Sequence, residues 1–89
     1  IQEIITDFVG GLPSRTEALL EASRMANRPN LRVLSHQLKG AAGGYGFDPI
    51  TDAAARVEAA VVDDEAMDVV QSYVRELAGL CSRARASTG

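Results

Sequence analysis

Residues 36–47 read His36-Gln37-Leu38-Lys39-Gly40-Ala41-Ala42-Gly43-Gly44-Tyr45-Gly46-Phe47. His36 is the only histidine of the chain, and the only lysine, Lys39, follows it by three positions. If the run is helical, residues three apart lie on the same side of the helix. An imidazole, an ammonium group and very little side-chain bulk would then share one surface.

The leucines of this run predict which side of the helix faces a core. Leu34 and Leu38 fall about 160° from His36 around a helix of about 3.6 residues per turn, and Tyr45 falls about 180° away. These apolar residues define the expected core-facing stripe. His36 is therefore expected to point away from the core, into solvent or onto another protein.

Glycines follow the histidine on its own side of the helix. Gly40 and Gly43 lie about 40° and about 20° from His36, and a glycine within a helix costs about 0.5–1 kcal/mol relative to alanine. One explanation is that the helix ends near Gly43, which then acts as a C-cap. The other is that both glycines leave the surface beside His36 bare, so that another protein can approach the imidazole. The two explanations are compatible.

The remaining segments also indicate helices, because proline and glycine separate stretches of helical periodicity and no run alternates with period two. We predict an all-α protein: an antiparallel up-and-down four-helix bundle with a short extra N-terminal helix at residues 1–9. Gly10-Gly11 is expected to separate that helix from the next one. The four long helices are expected from Leu12 to about Ala26, from near Leu31 after an Asn30 cap, from Asp48-Pro49, and from a cap at Asp63-Asp64.

Length and composition exclude several classes of protein. The 89 residues make one domain, residues 1–89. A net charge of −3 argues against nucleic-acid binding, and no apolar run approaches the ~20 residues that span a bilayer, so no membrane contact is predicted. One histidine and one cysteine, Cys81, cannot build a zinc site, and the single cysteine fits a reducing, cytoplasmic location. The absent initiator methionine predicts a fragment of a longer signalling protein.

The charges are unevenly distributed. Residues 22–47 contain no Asp or Glu, and four basic residues lie in that stretch: Arg24, Arg28, Arg32 and Lys39. This pattern is either chance clustering on a solvated face or a positive surface around His36 that favours an anionic partner or a phosphoryl group. Arg32, about 40° from His36 and one turn before it, is a candidate binding residue.

The chain lacks the motifs of a self-contained enzyme. It has no Gly-x-x-x-x-Gly-Lys-Ser/Thr phosphate loop, and no acid occurs within ten positions of His36 on either side that could form a triad with it. An exposed imidazole is nevertheless a competent nucleophile near neutral pH, and an ammonium group one turn away can screen an added phosphate. We therefore expect a partner to supply the metal ion and the acidic pocket.

The run His36-Gln37-Leu38-Lys39-Gly40 matches the His-x-Leu-Lys-Gly core of histidine phosphotransfer (HPt) domains of bacterial two-component phosphorelays. The stretch at residues 41–47 resembles the small-residue run that follows this core in the family. Weaker similarities at residues 7–8, 12–15 and 53–58 extend the resemblance over nearly the whole chain.

The resemblance implies an up-and-down four-helix bundle with an exposed histidine in the middle of a helix. It implies that His36 carries the phosphoryl group on Nε2, that Lys39 assists electrostatically and that Gly40 leaves space for a receiver domain. Gln37 is expected to hydrogen-bond near the phosphate. Gly43 matches a position of small residues in the family.

The function implied is that of a phosphorelay intermediate, which exchanges a phosphoryl group with aspartates of receiver domains in response regulators or hybrid kinases. Such a phosphocarrier needs no nucleotide site and no cofactor of its own, since the partner receiver supplies Mg²⁺. One alternative is the phospho-accepting domain of a chemotaxis-type histidine kinase, which receives its phosphate from ATP through a separate catalytic domain. The other is a non-catalytic helical interaction module, in which the glycine face packs against another helix.

Overall fold

A computed structural model describes the backbone of residues 2–88 and the side chains of residues 7–84. Its four helices are α1 (Gln2–Arg24), α2 (Arg28–Gly44), α3 (Asp48–Val62) and α4 (Met67–Thr88). The described backbone contains no strand. The prediction of an all-α protein with four long helices is therefore confirmed.

The N-terminal region differs from the prediction. A single helix, α1, runs through Gly10 and Gly11, so the separate short helix at residues 1–9 is wrong for residues 2–9; residue 1 lies outside the described part. Each glycine weakens the helix by about 1 kcal/mol relative to alanine. However, Phe8 on one side of the pair and Leu12 on the other are both buried in the core. Burial of such side chains contributes about 1.5–3 kcal/mol each, which outweighs the glycine cost.

Packing closes the four helices into a ring. Helix α2 contacts α1 and α3, and α4 likewise contacts α1 and α3. Loops at residues 25–27, 45–47 and 63–66 join the helices, and connections this short favour antiparallel neighbours. The interior contains the fully buried side chains Leu12, Leu19, Leu31, Leu38, Val57, Val70, Val74, Leu77 and Cys81.

Two helix starts differ from their predicted positions. The side chain of Asn27 accepts a hydrogen bond from the backbone N–H of Asn30 at 3.2 Å, so Asn27 is the N-cap of α2. Helix α4 begins at Met67 rather than directly after the two aspartates. Asp63 instead ends α3, and Asp64 has a left-handed φ of 57°. An aspartate next to a turn can lie at either end of a helix, and here Asp63 is the C-cap of α3 rather than the N-cap of α4.

Aromatic residues hold the C-terminal end of α2 against α1. The ring of Phe8 stacks on Tyr45, with 5.0 Å between centroids, and lies 5.3 Å from the ring of Phe47. Tyr45 is 38% exposed, so its predicted core position is wrong. The reason is that α2 ends at Gly44, and the helical geometry used for the prediction does not extend to Tyr45.

Candidate functional site

His36 lies near the middle of α2, and its side chain is 66% exposed. Leu31 and Leu38, on the other side of the same helix, are completely buried. Ser35 is also buried, and its hydroxyl donates to the backbone oxygen of Leu31 at 2.7 Å, so it adds no unsatisfied polar group to the core. The expectation that the imidazole points away from the core is confirmed.

The imidazole of His36 has one partner from another helix. Its Nδ1 lies 2.8 Å from Oε2 of Glu58 on α3, 22 positions away in the sequence. The prediction that no acid is arranged beside His36 is therefore wrong. It considered only acids close to His36 along the chain, whereas the packing of α3 against α2 places Glu58 next to the imidazole.

The same carboxylate also binds the lysine. Oε1 of Glu58 accepts a hydrogen bond from Nζ of Lys39 at 2.5 Å. The pKa of Glu58 lies below its ordinary value, chiefly because of this hydrogen bond; the hydrogen bond from His36 acts in the same direction and partial burial opposes both. With only 17% of its side chain exposed, Glu58 is an ionised, largely sheltered acceptor for two donors.

This contact determines which nitrogen of the neutral imidazole is protonated. An ionised carboxylate can only accept hydrogen bonds, so Nδ1 of His36 must be the donor to Glu58. In the neutral ring the lone pair is then on Nε2. Within the described residues Nε2 has no hydrogen-bond partner, and most of the side chain is exposed. The arrangement therefore orients a largely exposed imidazole and leaves the lone pair of Nε2 without a partner among the described residues.

The two glycines on the histidine side of α2 have different surroundings. A Cβ at Gly40 would have no atom within 4 Å beyond its own helix, whereas one at Gly43 would meet the side chain of Thr51 on α3 at 3.8 Å. Gly40 thus borders open space, and Gly43 faces a neighbouring helix. The helix ends at Gly44, near Gly43 as expected, but its C-cap is Tyr45 rather than Gly43. Gly46 has a left-handed φ of 78°.

A shallow groove with a volume of about 460 Å³ lies beside the imidazole. It brings together three residues that the sequence singled out, His36, Gln37 and Arg32, and leaves out Lys39, Gly40 and Gly43. The groove is lined by Pro29, Arg32, Val33, His36, Gln37 and Glu58. Of these, Pro29, Val33 and Glu58 were not predicted as site residues. Glu58 lies in the stretch 53–58 that resembles the family, but nothing in that stretch indicates a contact with His36.

The described residues contain no group of three or more His, Cys, Asp or Glu side chains that could hold a metal ion. Over the same part of the chain, no helix has the length and apolar character needed to cross a membrane. A family model described as "Hpt domain" matches residues 3–87. Comparisons with curated proteins and with solved structures find no match.

Proposed function

The chain belongs to the Hpt domain family, and we propose that it accepts a phosphoryl group on His36 and exchanges it with aspartates of receiver domains. Domains of this family are phosphocarriers that interact with receiver domains in phosphorelays. The observation that supports His36 as the phosphorylated residue is its hydrogen bond to Glu58, which leaves Nε2 unprotonated and exposed.

In the forward step, the lone pair on Nε2 attacks the phosphorus of an aspartyl phosphate. An N–P bond forms, the P–O bond to the aspartate breaks, and the aspartate leaves as a carboxylate with the electron pair. His36 keeps its proton on Nδ1, so the ring becomes a phosphorylated cation. Glu58 stabilises that cation at 2.8 Å without taking the proton. The reverse step returns the phosphoryl group to a receiver.

Most of the catalysis in such a transfer comes from positioning and from neutralising charge. We propose that the acidic pocket of the receiver supplies the Mg²⁺ for the transfer, which would screen the phosphoryl oxygens there. The resting contact of Lys39 is with Glu58, so we propose that the lysine assists by keeping that carboxylate ionised beside the imidazole. Gly40 leaves room for the receiver, Gln37 offers a hydrogen bond in the groove, and Gly43 is structural.

Other properties belong to the same proposal. The helices run antiparallel, since the connections are only a few residues long. We propose that the domain works as a carrier rather than an enzyme and needs no nucleotide site of its own. The unpaired, buried thiol of Cys81 is compatible with a reducing compartment, and we propose the cytoplasm.

The test is transfer to the wild-type chain and to His36→Gln from receiver domains that have been phosphorylated with acetyl phosphate. The wild type should gain the mass of one phosphate, which is lost in acid and stable in alkali, and His36→Gln should gain none. Phosphorus–nitrogen NMR should place the group on Nε2. An acid-labile phosphate on His36→Gln would refute the assignment of the residue, and one on Nδ1 of the wild type would refute the argument from Glu58.

The same assay separates the alternative functions. Phosphorylation by ATP and a kinase catalytic domain, together with no transfer from any receiver, would favour the chemotaxis-type phospho-acceptor. No phosphorylation under either condition would favour a helical interaction module, in which His36 has no chemical role.

A further inference from the structure

Residues 22–47 contain no Asp or Glu, but in the folded domain carboxylates from other parts of the chain lie beside some of their basic side chains. Of the four basic residues in this stretch, three already have partners: Arg24 pairs with Glu21, Arg28 donates to the backbone oxygen of Glu65, and Lys39 pairs with Glu58. Their positive charges are engaged within the domain, by side chains or by a helix-joining loop. The lysine next to the histidine is therefore not a free cation for a visiting protein.

Arg32 is the exception. It lies one turn before His36 on α2, it is exposed, and it lines the same groove. Among the described side chains its guanidinium has neither a hydrogen bond nor an ion pair. A guanidinium with free donors is well suited to bind a carboxylate through two hydrogen bonds.

Two apolar residues, Pro29 and Val33, line the groove together with the polar side chains of Gln37 and Glu58. Val33 is 50% exposed although it is a large apolar residue, and Pro29 lies one turn before it. A groove of about 460 Å³ is far larger than a phosphoryl group. It has room for several side chains of a partner, and the pair of Arg32 beside Val33 and Pro29 fits an acidic side chain next to an apolar one.

We propose that Arg32 is a docking and specificity residue, which pairs with a carboxylate of the receiver while an apolar receiver side chain covers Val33 and Pro29. This inference rests on the proposed function, because the partner is the protein that brings the phosphoryl group to His36. It assigns the N-terminal half of α2 to partner recognition. The phosphoryl group itself is accepted by His36, whose ring is oriented by Glu58.

The experiment measures phosphoryl transfer from receiver domains phosphorylated with acetyl phosphate to Arg32→Gln, Arg32→Glu and Arg32→Lys. Pairing at the rim of an interface affects encounter and binding more than chemistry. We expect KM for the receiver to rise roughly 3- to 10-fold in Arg32→Gln and further in Arg32→Glu, with kcat within about 2-fold. Arg32→Lys should recover most of the affinity. The effect should fade near 1 M salt, where the screening length is about 3 Å.

The matched control is Arg75→Gln. Arg75 is also an exposed arginine, but it lies on α4, which makes no contact with α2 among the described residues. It should leave KM unchanged. Thermal unfolding by circular dichroism should show the wild-type midpoint for the Arg32 variants, because the side chain is exposed and unpaired.

A small donor distinguishes docking from chemistry. Phosphoramidate has no protein surface, so it should phosphorylate Arg32→Gln and the wild type at equal rates. Equal slowing with phosphoramidate and with receivers would overturn the docking role, because the arginine would then act on the phosphoryl group. If the wild type accepts phosphate from receivers and Arg32→Glu has the same KM, this inference fails alone. If the wild type accepts none, the proposed function fails as well.

Discussion

Replacing Gly40 by alanine should make the domain more stable and a poorer phosphate acceptor. Gly40 is within α2, and a Cβ built on it has no atom within 4 Å beyond its own helix. The substitution therefore introduces no clash within the domain. It should gain the usual helical difference between alanine and glycine, about 0.5–1 kcal/mol. For a domain of this size that corresponds to a rise in Tm of about 2–8 °C.

The cost of the added methyl group appears only in the complex with a receiver. Residues four apart on a helix are neighbours, with roughly 5–6 Å between their Cβ atoms. The methyl group of Gly40→Ala would thus lie next to His36. In the proposed function, the receiver covers this surface closely so that the phosphorus reaches Nε2. Forcing a methyl group into a close-packed contact costs about 1–3 kcal/mol. We therefore expect transfer from a phosphorylated receiver to slow by about 5- to 150-fold.

The assay combines thermal unfolding, followed by circular dichroism, with quenched-flow transfer from a phosphorylated receiver. Gly79→Ala is the control, since Gly79 is a helical glycine on α4 whose Cβ would make an ordinary contact of 3.6 Å with Arg83. It should raise Tm by a similar amount and leave the transfer rate unchanged. A Gly40→Ala variant that transfers at the wild-type rate would refute the idea that the bare surface serves the receiver. A lower Tm would refute the stability argument.

Variants at three further positions, Lys39, Glu58 and Ala26, have expected outcomes that can be measured. Lys39→Ala should slow transfer without abolishing it, and an unchanged rate in the receiver assay would remove its proposed role. Glu58→Gln should slow transfer roughly 10- to 100-fold, the loss that follows when a carboxylate that orients a metal-bound histidine is replaced. The pKa of Glu58 is lower in the folded state than its ordinary value of 4.5. The ionised carboxylate therefore stabilises the fold at pH values above 4.5, and this stabilisation is lost as the pH falls through the folded-state pKa. The urea-unfolding free energies of wild type and Glu58→Gln should therefore differ near pH 7 and converge in acid; a constant difference would contradict this. Ala26→Gly should stabilise by about 0.5–1 kcal/mol, since Ala26 has a left-handed φ of 53°, and a lower urea midpoint would contradict it.

The orientation of α2 is predicted correctly from the sequence, because it depends only on the periodicity of the apolar residues in that helix. The leucines repeat on one side of α2 and the histidine lies opposite, so that exposure of His36 follows from the period of the helix alone. The predicted helix break at Gly10-Gly11 is wrong because it considered only local preference and not the packing of the fold. Local preference disfavours helix there, and only the burial of residues on both sides of the glycines, which depends on the rest of the fold, overrides it.

The charge pattern along the chain describes the surface around His36 only in part, for a related reason. Residues 22–47 contain no acid, yet most of their basic side chains meet carboxylates or carbonyl oxygens from elsewhere in the chain or from just outside the stretch. In a bundle, the neighbours of a side chain come as much from the adjacent helix as from its own. The electrostatic surface therefore depends on which helices pack together, and sequence proximity describes only part of it.

Glu58 shows what a sequence search would need in order to find such a residue. It follows the fully buried Val57 on α3, so it occupies the border between the core stripe and solvent on the helix that packs against α2. An acid at that border can reach a donor on the neighbouring helix while its chain stays largely covered, as its 17% exposure shows. Had the carboxylate been fully exposed, water would have competed for both donors, and the tautomer of His36 would not be fixed. The partial burial of Glu58 thus links the packing of the bundle to the role proposed for Nε2.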